Sequence, residues 1–208
     1  IAAANEKIET ALDAVTGDFY YRSDIGTREL TQAKIQAVNR LKGAELRVRS
    51  SEETEFLDIY EFVSRCRPLE NYAPHVYKIL LRLFGNSCFA AEIRGRIVGF
   101  VLGMISQTHA QSTYFLWQIG VSPMQQGTGL GKRLLKEVEE RVKKLGCQRI
   151  ELTIDPENIP SQKLFVGMGY ANISRDEDDT VEVNGNIAVK DFYKPGRHFM
   201  LYEKKLIN

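Results

Sequence analysis

Apolar residues recur along this chain at two spacings, and the places where one spacing gives way to the other mark its elements. Leu46 and Val48 alternate with Arg47 and Arg49 as a first strand. Ser50 and Glu53 then form a capping box for a helix showing Phe56, Leu57, Tyr60 and Val63 on one side. Pro68 breaks that helix and 69–73 is a loop. A second helix carries Val76, Ile79, Leu80 and Leu83 and ends at Gly85 and Asn86. Residues 88–92 and 97–105 read as a hairpin turning at Arg94 and Gly95, and 114–121 as a fourth strand. A third helix follows, with Leu130, Leu134, Leu135, Val138, Val142 and Leu145 at 3.6-residue spacing, closed by Gly146. Residues 149–154 alternate strictly as a fifth strand, a short helix follows Asn158, and a last strand spans 198–204. Residues 174–196, acidic at first, read as a loop with a short strand at 181–183, a wall or lid.

The junction between the fourth strand and the third helix carries the chemistry. Gly127, Gly129 and Gly131 stand at alternate positions directly before an amphipathic helix. Glycines permit close backbone approach, and the first N–H groups of a helix lack internal partners, so such a junction holds an anion. It is no P-loop, because Lys132 is followed by Arg133 rather than Ser or Thr. Nor is it a dinucleotide fingerprint, because the third glycine falls one residue early.

Composition narrows the picture. At 208 residues, with 43% hydrophobic positions, the chain suits one domain plus an appendage. A formal net charge of +1 offers no global field for nucleic acid or an anionic membrane, and charges interrupt every apolar run before it could span a bilayer. Cys66, Cys88 and Cys147 lack metal spacing and read as reduced, buried thiols. With no signal-peptide pattern, a cytoplasmic setting and no resident metal are expected.

Two segments carry a family resemblance. Gln126-Gly127-Thr128-Gly129-Leu130-Gly131 is similar to the [RQ]-x-x-G-x-[GA] signature of the GNAT acetyltransferases. The run from Asn158 through Ser161, Leu164 and Phe165 to Gly169 and Tyr170 resembles the family's second signature. The resemblance implies an α+β fold: a mostly antiparallel mixed sheet splayed between strands 4 and 5, with helices on both faces. Residues 1–44 then read as a helical N-terminal extension and 45–208 as the acetyltransferase domain. It also implies acetyl-coenzyme A as co-substrate, a small-molecule amine as acceptor, and allows a homodimer. Arg67-Pro68-Leu69-Glu70-Asn71-Tyr72 and the run from Phe115 to Val121 further resemble the diaminobutyrate acetyltransferases of ectoine synthesis, although residues 1–44 and the tail beyond Asn172 depart from them.

Site residues carried over by the resemblance are Gln126, Gly127, Thr128, Gly129, Leu130, Gly131 and Lys132 for the diphosphate. Ile119 and Val121 flank the thioester and pantetheine, with Asn158, Ser161 and Phe165 beside them. Gly120 allows a bulged close approach whose backbone N–H faces the thioester. The acceptor is expected at Glu70, Asn71, Tyr72 and Trp117. The amine must lose a proton before attack and the departing thiolate must gain one. Trp117 and Gln118 stand where many relatives have a carboxylate, and Thr153 where others have Glu. Glu151, sharing the Thr153 face, is therefore the candidate base, with a water relay as the alternative. Phe165 replaces a common Tyr acid; Tyr170, Tyr193 and Tyr114 are the substitutes, with Tyr193 the favoured candidate because its loop can fold toward the site. A peptide or protein N-acetyltransferase and a non-catalytic acyl-coenzyme A module remain alternatives.

Overall fold

The computed structural model describes residues 45–108 and 112–206, with Gln32, Ala33 and Gln36 isolated before them. The expected extension over 1–44 otherwise lies outside the described residues, and residues 46–208 form one unit.

Its elements follow the polarity pattern closely. They are β1 (Arg47–Ser50), α1 (Phe56–Ser64), α2 (Pro74–Phe84), β2 (Phe89–Ile93), β3 (Arg96–Ile105), β4 (Thr113–Val121), α3 (Leu130–Lys144), β5 (Arg149–Ile154), α4 (Ile159–Val166), β6 (Ala171–Asn172), β7 (Thr180–Val183), β8 (Asn186–Lys194) and β9 (Arg197–Lys205). The strands form one sheet in the order β1-β2-β3-β4-β5-β9-β8-β7, with β6 against β9. Among the described residues every pairing is antiparallel except β4 with β5. The fold is thus the α+β arrangement with a mixed, mostly antiparallel sheet.

Gly99 and Phe100 show that helices cover both faces. Consecutive strand residues point to opposite sides. The Phe100 ring meets Phe62 of α1 at 5.7 Å between centroids, whereas a Cβ placed on Gly99 would lie 3.1 Å from Leu134 of α3. One core therefore joins Ile59, Phe62, Tyr77, Leu80 and Leu81 of α1 and α2 to Phe100 and Leu102. Leu134, Leu135, Val138 and Val142 of α3 are fully buried.

The buried faces of the two early helices match the reading of the sequence only in part. Phe56, Tyr60, Val63, Val76 and Leu80 pack in or against the core as expected, but Leu57, Ile79 and Leu83 are exposed, and Ile59, Phe62, Tyr77 and Leu81 are buried as well. Both helices are rich enough in apolar residues to support two stripes, and packing selected one. The capping box also shifts: Glu52 and Glu55 form it, at the start of a short 3-10 turn that leads into α1. Arg49 on β1 binds the Glu55 carboxylate at 2.8 Å and draws that box into place.

Within 174–196 the expected short strand is present as β7, but the residues after it form a second strand instead of continuing as a loop. β7 and β8 form a hairpin turning at Asn184 and Gly185, both with positive φ, and β8 continues against β9. An Asn-Gly pair between apolar-polar alternations favours this two-residue turn, because both positions tolerate positive φ.

The sheet opens between β4 and β5. Their parallel register runs from Thr113↔Arg149 to Leu116↔Leu152 and stops there. Beyond that point β4 stays with β3 and β5 with β9. Trp117 is an extra residue in the β3–β4 register, because Gly103 opposes Leu116 while Leu102 opposes Gln118. Such a bulge bends its strand. It lies directly beyond the last β4–β5 pair and leaves β4 with a strand neighbour on one side only.

Candidate functional site

The opening holds a cavity of about 550 Å³. Its walls come from both lips of the splay, Trp117, Gln118 and Ile119 on β4 and Thr153, Ile154 and Asp155 from β5 onward. The α1–α2 loop adds Leu69, Glu70 and Tyr72, α4 adds Ser161 and Phe165, and the β8–β9 turn adds Tyr193, Lys194 and Arg197.

Of the residues expected at the site, Glu70, Tyr72, Trp117, Ile119, Asn158, Ser161, Phe165 and Tyr193 meet here. Tyr193 shares a hydrogen bond with Thr153 on the β5 side of the opening at 2.9 Å between oxygens. Its ring packs edge-on against Trp117 at 5.8 Å and against Phe199 at 5.0 Å, and Tyr72 lies 5.9 Å from Trp117. The four rings make one aromatic wall. Burial pushes the Tyr193 phenol above its usual 10.0, partly offset by the Thr153 bond, so it is protonated at neutral pH. Burial, aided by Glu70, pushes Tyr72 up to about 12.

The α1–α2 loop is braced from below. The Tyr77 hydroxyl, on a fully buried ring, donates to Asn71 Oδ1 at 2.8 Å and accepts the Tyr72 backbone N–H at 3.1 Å. Gln118 Nε2 donates to the Glu70 backbone oxygen at 2.7 Å. Asn71 therefore serves as a loop brace and does not line the cavity, which corrects its expected place among the acceptor contacts.

Glu151 does not reach the cavity either. It lies opposite Glu203 in the β5–β9 register, and Arg149 bridges the two carboxylates at 2.9 and 3.0 Å. Unbridged like charges across a strand pair are destabilising, so this ion pair has a structural role. Phe115 still pairs with Glu151, and the sheet opens only past the next pair. The carboxylates that line the opening are Glu70, Asp155 and Glu157.

Gly120 also has a different reason. A Cβ there would lie 2.5 Å from Phe100 Cε1 and 3.2 Å from Leu69 Cδ1. The close approach is that of a core phenyl ring, and the bulge falls at Trp117 instead. Phe165 is buried against Tyr170, with ring centroids 5.1 Å apart, and lines the cavity. Asn158 Oδ1 accepts the Ser161 N–H at 3.2 Å and caps α4.

The glycine loop lies outside the cavity lining. The Thr128 hydroxyl donates to the Gln125 carbonyl at 2.6 Å and tightens the turn. Gly129, at φ +84, is the N-cap of the 15-residue α3 and supplies no side-chain cap. A Cβ on Gly127 or Gly129 would meet nothing within 4 Å, so the backbone faces open space. The first N–H groups of α3 lack internal partners there, an arrangement that suits an anion. The Leu130 side chain is buried in the core and leaves only its backbone for a ligand, while Lys132 is exposed. Among the described residues no group of three His, Cys, Asp or Glu is arranged to hold a metal ion. All three cysteines are buried and free. No helix among the described residues is long and apolar enough to cross a membrane.

Sequence reasoning missed Arg197, Lys194, Phe199 and Glu157. None belongs to a motif; the Lys194-Pro195-Gly196-Arg197 turn was the one signal near Lys194, Arg197 and Phe199, and Glu157 had none.

The acetyltransferase (GNAT) family model matches residues 56–170. The chain is similar to the L-2,4-diaminobutyric acid acetyltransferase of Halomonas elongata, 33% identical over 155 residues, 74% of this chain and 78% of that one. Its fold is similar to that of the diaminobutyrate acetyltransferase of Paenibacillus lautus solved with L-2,4-diaminobutyric acid and coenzyme A. The TM-score there is 0.59 at 22% identity, covering 79% of this chain and 98% of that one. It is also similar to the ribosomal-protein-S18-alanine N-acetyltransferase of Escherichia coli, with a TM-score of 0.57 at 16% identity, covering 79% and 96%. One fold thus serves small and protein acceptors.

Proposed function

The chain belongs to the acetyltransferase (GNAT) family, and we propose that it transfers acetyl from acetyl-coenzyme A directly to a primary amine of a small molecule, within a ternary complex. The observation that carries this reading is the bounded cavity at the β4–β5 opening, spanned by the Tyr193–Trp117 ring contact and walled by rings and carboxylates. A cavity of about 550 Å³ falls in the range of small-molecule sites.

When bound, acetyl-coenzyme A supplies an activated acetyl thioester. The α3 N-terminus with Gly127 and Gly129 holds the diphosphate. Asn158, Ser161 and Phe165 flank the pantetheine arm. Backbone N–H groups of 117–121 that face the gap have no β5 partner, and they polarise the thioester oxygen. Glu70 holds the incoming ammonium against the Tyr72 and Trp117 rings and receives the proton the amine must lose. The amine nitrogen then bonds to the acetyl carbon and releases its second proton to solvent, the carbon–sulfur bond breaks, and the Tyr193 phenol gives its proton to the departing sulfur. Solvent restores that proton.

The test is coenzyme A thiol release with a panel of L-2,4-diaminobutyrate, other diamino acids, simple diamines and peptides, with products identified by mass. Small amines should be acetylated. Turnover restricted to peptides rejects the reading, and acetyl-coenzyme A binding without turnover of any amine favours a non-catalytic module.

A further inference from the structure

Two cations stand at the tip of the β8–β9 hairpin, and both line the cavity. Lys194 lies directly opposite Arg197 in the β8–β9 register. Like charges facing each other across a strand pair repel, and such a pair calls for a counter-charge. The protein supplies little of it. Asp155 reaches Arg197 at 3.4 Å, a long single contact, and Lys194 has no ion-pair partner among the described residues. The Arg197 guanidinium lies over the Phe199 ring at 5.3 Å, which fixes its plane and leaves most of its five donors uncommitted.

The tip is built to hold this position. Asp191, in the left-handed region at φ 49, accepts the Gly196 N–H at 2.7 Å, and its own N–H donates to His198 Nδ1 at 3.1 Å. The α1–α2 wall presents the opposite charge, the carboxylate of Glu70 with the Tyr72 hydroxyl 3.4 Å from it.

We propose that Arg197 and Lys194 anchor the carboxylate of the acceptor. The acceptor is then a small amine that also carries a carboxylate, preferred over the same amine without one. This rests on the small-amine reading above and adds to it a requirement for the acceptor's negative end. A planar guanidinium with free parallel N–H groups suits a carboxylate, and a charge pair that is only partly desolvated still discriminates.

The experiment compares kcat/KM for L-2,4-diaminobutyrate and for its decarboxylated counterpart, diaminopropane, in the wild type, Arg197→Gln, Arg197→Lys and Lys194→Gln/Arg197→Gln. The wild type should prefer the amino acid roughly 10- to 100-fold, and the double variant should bring that ratio toward one, chiefly through KM. Arg197→Lys should retain part of the preference. The proposal is overturned if the wild type uses both amines equally or if the double variant keeps the preference. It is overturned equally if the substitutions raise KM for acetyl-coenzyme A and leave the acceptor ratio unmoved. Turnover of peptides with neither small amine removes the underlying reading as well, so the two failures are told apart.

Discussion

Tyr193→Phe separates an acid from a structural tyrosine. The substitution removes one oxygen and keeps a ring that packs on Trp117 at 5.8 Å, Phe199 at 5.0 Å and Phe192 at 4.7 Å. With that oxygen goes the 2.9 Å hydrogen bond to Thr153. A neutral hydrogen bond of this kind contributes about 0.5–1.5 kcal/mol, and the lower end applies to a residue that is 47% exposed. If positioning were its whole job, kcat would fall by less than about tenfold. Loss of a general acid costs about 100- to 10,000-fold. Stopped thiol-release assays at saturating acetyl-coenzyme A should therefore show kcat down by at least about 100-fold, with the Kd for acetyl-coenzyme A unchanged. The pH profile supplies a second check. Burial raises the phenol above 10.0, so the acid form persists through neutral and mildly alkaline pH and is lost only as pH climbs through that raised value. The wild-type kcat should show no descending limb below pH 10, the phenol's usual value. A variant within about tenfold of wild type, or a descending limb well below that value, refutes the acid role.

Two glycines give further tests. Gly129→Glu places a negative charge and bulk in the open space at the head of α3 and should weaken acetyl-coenzyme A binding at least about 100-fold by calorimetry. Gly129→Ala, which adds only the strain of φ +84, should lose much less, and unchanged affinity in the Glu variant would remove the diphosphate from this cradle. Gly120→Ala drives a methyl to 2.5 Å from Phe100 and should cost about 1–3 kcal/mol in denaturant unfolding. Adding Phe100→Leu should recover part of that loss. A Gly120→Ala protein of wild-type stability that binds acetyl-coenzyme A poorly would return Gly120 to the thioester.

What the chain's sequence determined by itself is local. The glycine loop was legible because positive φ at Gly127 and Gly129 and an uncapped helix start depend on neighbours in sequence. The α3 stripe was legible because its apolar residues lie on one face only, whereas α1 and α2 carry apolar residues on more than one, and only the Phe100 and Leu102 face chose between them. Alternation identified β5 and the face that Glu151 shares with Thr153. It could not say which of them meets the ligand, since that depends on where β4 parts from β5. The Trp117 bulge sets that point through pairing with a strand distant in sequence. Tertiary structure likewise folded 180–194 into a hairpin and swung Tyr193, Lys194 and Arg197 over the opening, bringing them to Glu70 and Tyr72 from more than a hundred residues away. A cavity assembled from such contacts has no sequence period to reveal it. Its residues share a place in the fold, with no common position in a repeat.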